Sequence, residues 1–146
     1  MNQITTQYVT EGGACYEQYV ITDPAAKTAL TITPERGGMI TGFTLDGDEY
    51  IWTRRPNFSE CNRPRFGVPV LFPSCGNPDG GVHLFDGKAY PMECHGFADL
   101  CAWEVESVGP DGVTLILEST PLTKFLYPFD FTLLVNYNLE GNKATI

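Results

Sequence analysis

Four of the nine basic residues of this 146-residue chain, Arg54, Arg55, Arg63 and Arg65, fall within twelve positions. A guanidinium is a planar fork of donors that fits hydroxyl pairs, carboxylates or phosphates. In a chain of net charge −9 the same arginines also serve to cap loops and pair with surplus acids. Arg65 is the candidate ligand contact, because it abuts the apolar burst Val68–Phe72 and so projects from a rigid element. The second constellation is Cys94-His95-Gly96-Phe97-Ala98, followed by Trp103. A neutral imidazole donates from one nitrogen and accepts at the other, so His95 suits a hydroxyl oxygen or a transferable proton. Gly96 permits a backbone angle other residues avoid and lets a ligand come close. Phe97 and Trp103 offer an apolar wall. A structural histidine bonded to a backbone carbonyl fits the same spacing equally well. Asn77, between Gly76 and Pro78, can orient a hydroxyl or simply turn the chain.

Other chemistries are poorly supported. His83 sits at an expected loop tip beside Gly80-Gly81. The spacings of Cys75, His83, Cys94, His95 and Cys101 match no standard zinc site. A Cys94 nucleophile with His95 as its base is weak, since neighbours on a strand point to opposite faces. Trp52 and Trp103 suit ring stacking, but core packing is the commoner use of tryptophan in such a chain. There is no phosphate loop, no GxSxG and no nucleotide-binding glycine fingerprint. The expectation is a site with no metal and no cofactor.

The elements that must position these residues read as strands. Fifteen glycines and eleven prolines punctuate short apolar runs. Strands are expected at Tyr16–Thr22, Lys27–Thr33, Met39–Leu45 and Glu49–Thr53, with Asp46-Gly47 as a hairpin turn. Further strands are expected at Ala102–Val108, Val113–Ser119, Phe129–Leu139 and Lys143–Ile146. Between them lies a long irregular stretch, Arg54–Cys101, holding one small hairpin of His83–Phe85 and Lys88–Tyr90 turned by Asp86-Gly87. A long irregular segment rich in aromatics is usually functional. The fold class expected is all-β, an antiparallel β-sandwich. The final run after Glu140-Gly141-Asn142 reads as a strand cut short. A sandwich lacking strands leaves open edges, so self-association through exposed strand edges is expected.

Composition bounds the rest. The length fits a single domain over 1–146, large enough to bury a core. The acidic balance argues against nucleic acid as partner. No apolar stretch approaches the roughly 20 residues of a membrane-spanning helix. Met1–Gln7 lacks the charge and apolar run of a secretion signal, and the five cysteines form no even disulfide framework. The expectation is a soluble cytoplasmic protein.

In the order and spacing of these motifs the chain resembles the aldose 1-epimerase, or galactose mutarotase-like, family. The resemblance runs through Arg36-Gly37-Gly38-Met39-Ile40 with Asp46-Gly47, then Arg65–Pro73, then His95-Gly96-Phe97-Ala98 with Trp103. It continues through Tyr127–Phe131 and Tyr137–Asn142. It implies a large antiparallel supersandwich, of which this chain would be the N-terminal portion. It also implies a cofactor-free interconversion of the α and β anomers of a monosaccharide, an aldohexose. In that family a carboxylate takes the proton of the anomeric hydroxyl while an imidazole protonates the ring oxygen. His95 falls at the first active-site histidine and Arg65 at the substrate-contacting arginine. Arg65, His95, Asn77 and Trp103 are thus the expected sugar contacts, with His95 catalytic. The second histidine and the glutamate base of the family have no counterpart before Ile146. Members acting on hexose 6-phosphates read HGFAR, whereas here the last position is Asp99, which favours an unphosphorylated sugar. The alternative is a carbohydrate-binding or sensing module that does no chemistry.

Overall fold

The computed structural model describes residues 1–53, 63, 65–110 and 112–146. Arg54, Arg55, Cys61 and Asp111 lie outside the described residues. The first sheet is a meander of five antiparallel strands in the order β1-β2-β3-β4-β5. These are β1 (Gln3–Glu11), β2 (Ala14–Asp23), β3 (Thr28–Thr33), β4 (Met39–Leu45) and β5 (Asp48–Glu49). A hairpin of β6 (Val82–Phe85) and β7 (Lys88–Pro91) follows. The second sheet holds β8 (Glu104–Val108), β9 (Gly112–Glu118), β10 (Thr132–Glu140) and β11 (Lys143–Thr145), in the order β11-β10-β9-β8. No helix among the described residues is long and apolar enough to cross a membrane.

The period of two in these strands builds the core. Ile21, Leu30, Ile32 and Ile40 face inward from the first sheet. Val113, Leu115, Leu117, Tyr137 and Leu139 face them from the second. The pairing of β9 with β10 sets Val113 opposite Tyr137 and Leu117 opposite Leu133, so both strands turn their apolar sides the same way. Each fully buried aliphatic side chain stabilises the fold by about 1.5–3 kcal/mol. The all-β sandwich expected from sequence is therefore the fold.

Three elements differ from expectation. β1 was not anticipated, because its threonines and glutamines leave it mostly exposed; it is an edge strand held by pairing along its whole length with β2. The strand expected over Glu49–Thr53 stops at Glu49. There the Glu49 carboxylate accepts from the Phe43 and Ile51 N–H groups at 2.8 and 2.7 Å, taking the place of ladder bonds. The strand expected from Phe129 begins at Thr132, since Tyr127, Phe129 and Phe131 are drawn into an aromatic cluster. In that cluster Phe72 lies 5.3 Å from Tyr127 and 5.0 Å from Phe131, centroid to centroid. Phe85 of the small hairpin packs on Tyr127 and Phe129 at 5.6 and 5.1 Å, which docks β6–β7 on the body of the protein.

Two stitches carry the irregular segment. Ile40 and Val68 exchange backbone hydrogen bonds of 3.3 and 2.9 Å, tying the Arg65–Val68 run to β4. Further along, the Phe72 carbonyl accepts from Phe97 and Ala98 N–H at 2.8 and 3.2 Å. Between the sheets, the Tyr137 hydroxyl donates to the Gly38 carbonyl while the ring is fully buried.

Burial pushes the Tyr137 pKa far above the ordinary phenol range. The unfolded chain therefore deprotonates first, so this contribution is present below about pH 10 and is lost as pH rises beyond it. Tyr137→Phe is expected to cost about 1–2 kcal/mol at neutral pH by orphaning the Gly38 carbonyl. It is also expected to blunt the loss of stability above about pH 10. Urea titrations of both proteins from neutral to alkaline pH check the two effects together.

Candidate functional site

Arg65 follows the stretch outside the described residues and precedes the Val68 stitch. It is exposed and lines a cleft of about 530 Å³. His95 lines the same cleft, as do Trp52, Arg63, Phe66 and Asp99. The cleft is thus walled by the run stitched to β4 on one side and by the His95–Asp99 segment on the other.

The His95 segment is shaped by its backbone. His95 has φ +72° and Gly96 φ +76°, two successive left-handed residues that make a sharp turn. The His95 N–H donates to the Gly76 carbonyl at 3.0 Å. At Gly96 a Cβ would stand 2.1 Å from the Phe72 carbonyl oxygen, so only glycine permits this approach. The imidazole Nδ1 of His95 is buried and makes no hydrogen bond among the described residues.

Asp99 is 1% exposed. One guanidinium nitrogen of Arg63 lies 3.0 Å from each of its carboxylate oxygens. The second terminal nitrogen donates to the Gly96 carbonyl at 2.7 Å and lies 3.6 Å from Glu93. Burial pushes the Asp99 carboxyl upward, and Arg63 pulls against it without reversing the direction. Asp99, at the position read as favouring an unphosphorylated sugar, is buried and committed to Arg63. Arg63 is equally committed, and it clasps the segment that carries His95.

The remaining expected contacts lie elsewhere. Trp103 is 3% exposed and its indole N–H donates to the Ala98 carbonyl at 3.0 Å. Packing between the Gly37-Gly38 turn and the core drew it inward; a Cβ at Gly38 would meet its ring at 2.9 Å. Asn77 lines a separate groove with Met92, Phe97 and Leu126, and does not line the His95 cleft. His83 stacks edge-on against Phe85 within the small hairpin. Among the described residues no three His, Cys, Asp or Glu side chains gather as a metal site. Trp52, for which core packing was the favoured reading over ring stacking, is instead 64% exposed in the cleft. Its one signal was its place just after a short strand and just before the arginine-rich run.

Two antiparallel sheets in a galactose mutarotase-like sandwich, with a cleft lined by Arg65 and His95 beside the strands, define the class of protein. The sequence pattern of aldose 1-epimerase matches residues 17–146, and the chain belongs to that family. A solved protein from Synechocystis sp. PCC 6803 is 29% identical, with a TM-score of 0.82 over 97% of this chain and 48% of its own. A galactose mutarotase related enzyme from Lactobacillus acidophilus is 28% identical, with a TM-score of 0.73 over 86% of this chain and 40% of its own. A galactose 1-epimerase from Lactobacillus acidophilus NCFM, 16% identical with a TM-score of 0.70, covers 95% of this chain and 46% of its own and shares the fold. The chain spans about half the length of these structures. A comparison with curated proteins finds no match.

Removing one partner of a buried ion pair leaves the other uncompensated. Arg63→Met is expected to cost about 3–5 kcal/mol at neutral pH. An Asp99 carboxyl that titrates higher in the folded chain favours folding below about pH 4, and that contribution is lost as pH rises. The deficit of Arg63→Met should therefore shrink in mild acid and widen toward neutrality, as read by denaturant titration at several pH values.

Proposed function

We propose that the complete protein interconverts the α and β anomers of an unphosphorylated aldohexose by acid–base ring opening and closure. The observation that supports this reading best is the convergence of His95 and Arg65 on one cleft of about 530 Å³. In the proposed cycle a base takes the proton of the anomeric hydroxyl and the ring oxygen gains a proton. The C1–O5 bond breaks, the C1–C2 bond rotates, and reclosure with reversed proton transfers gives the other anomer. No electrons are exchanged with a second reactant, so no cofactor is required. His95 is placed at the ring or anomeric oxygen, and Arg65 donates to hydroxyls. Asp99 is an unsuitable base, because the Arg63 guanidinium occupies both of its oxygens. The second acid–base group is assigned outside these 146 residues, in keeping with a chain about half the length of the solved structures it matches. The Asp99–Arg63 pairing supports an uncharged sugar, since it cancels one of the cationic groups a phosphate would need.

Polarimetry on freshly dissolved α-glucose and α-galactose tests this. The complete protein is expected to accelerate mutarotation above buffer, and His95→Asn to lower kcat by about 10²–10⁴ with the fold retained. Arg65→Met should act mainly on KM. Rates equal to buffer across several aldoses sink the enzyme reading. The 146-residue chain alone is expected to show little activity.

A second reading is a carbohydrate-binding or sensing module. It is favoured by the commitment of the cleft carboxylate Asp99 to Arg63, which leaves His95 as the main titratable group facing a ligand. Saturable aldose binding by the complete protein without any rate acceleration distinguishes it.

Leu122, Phe125 and Leu134 are exposed, and β1 and β11 present strand edges. Self-association of this chain at high concentration is the expected consequence. A constant monomer mass by light scattering across a wide concentration range refutes it.

A further inference from the structure

The two tryptophans occupy opposite environments. Trp103 is closed in the core, whereas Trp52 is 64% exposed beside Arg65 and His95. The openness of Trp52 does not come from a loosely held backbone. Its carbonyl accepts from the Gly67 N–H at 3.1 Å, which ties it to the wall that carries Arg65. On one side the Ile51 N–H donates to Glu49 at 2.7 Å, and on the other the Thr53 hydroxyl donates to the Thr41 carbonyl at 2.7 Å. Both flanks are pinned while a large apolar ring is left facing the cleft that Arg65 and His95 also line.

We propose that Trp52 is the stacking platform of this cleft, holding the C–H face of a pyranose against its indole. The proposal rests on the aldose reading above. A pyranose is amphipathic: hydroxyls ring its rim and axial C–H groups populate its faces. Those C–H groups carry slight positive charge and suit the negative π face of an indole. Arg65 and His95 carry groups that serve the rim, and by themselves they offer nothing to the faces. Trp52 supplies a broad exposed aromatic face beside the smaller apolar groups of Pro69 and Leu71, in the usual pattern of a ligand site with an apolar wall and a few placed polar groups.

Calorimetry and saturation-transfer NMR with glucose and galactose, on the wild type, Trp52→Ala and Trp52→Phe, test the platform. Iodide quenching of tryptophan fluorescence adds a readout that needs no variant, because buried Trp103 is beyond the reach of iodide. Bound sugar is expected to shield the quenchable fluorescence. Trp52→Ala is expected to bind about tenfold more weakly, and Trp52→Phe to recover most of that loss. Circular dichroism should be unchanged in both, since the side chain is exposed. Undiminished affinity in Trp52→Ala, or quenching unaltered by saturating sugar, overturns the platform and leaves the aldose reading standing. Failure of the wild type to bind any aldose overturns both.

Discussion

A carboxylate shut away from water is costly unless it is paired, and that constraint organises the wall of the cleft. Asp99 meets the cost through Arg63, whose guanidinium also takes the Gly96 carbonyl. One side chain thereby fixes both the turn after His95 and the carboxylate four residues on from it. The pair has an electrostatic consequence as well. The charges of Arg63 and Asp99 offset one another within the pair.

The backbone does the rest of the positioning. The Phe72 carbonyl receives two N–H groups from the His95 segment, and Gly96 lies against that same carbonyl with no room for a side chain. The Phe72 ring extends into the cluster of Phe97, Tyr127 and Phe131. Residue 72 therefore joins the site to the aromatic packing that anchors the small hairpin and the start of β10. Ile40 plays the matching part on the other wall, pairing with β3 and bonding with Val68. Both walls of the cleft are irregular in themselves and are held by contacts to regular elements.

Much of this was legible in the residues. The turns at Asp46-Gly47 and Asp86-Gly87 follow from local backbone preference, and the alternation along β9 and β10 follows from the pleat. The motif set around Arg65 and His95 pointed to the family that the chain belongs to. The roles of the other polar and aromatic residues were less legible. Trp52 and Trp103 are chemically identical, and nothing in their immediate neighbours says which is buried. The pairing of Asp99 was not legible because its partner Arg63 lies 36 positions away. Residues 50–53 read as the continuation of a strand because the capture of two backbone N–H groups by Glu49 depends on where β4 has already placed Phe43.

The sequence by itself determined most of the inner strands, the hairpin turns and the sharp His95-Gly96 segment, because each is set by interactions among near neighbours in the chain. The tertiary structure alone decided that Arg63 is committed to Asp99, that Asn77 opens onto a different groove and that Trp52 rather than Trp103 faces the cleft. Those outcomes depend on burial and on pairing between distant segments, and no local pattern of residue types encodes either.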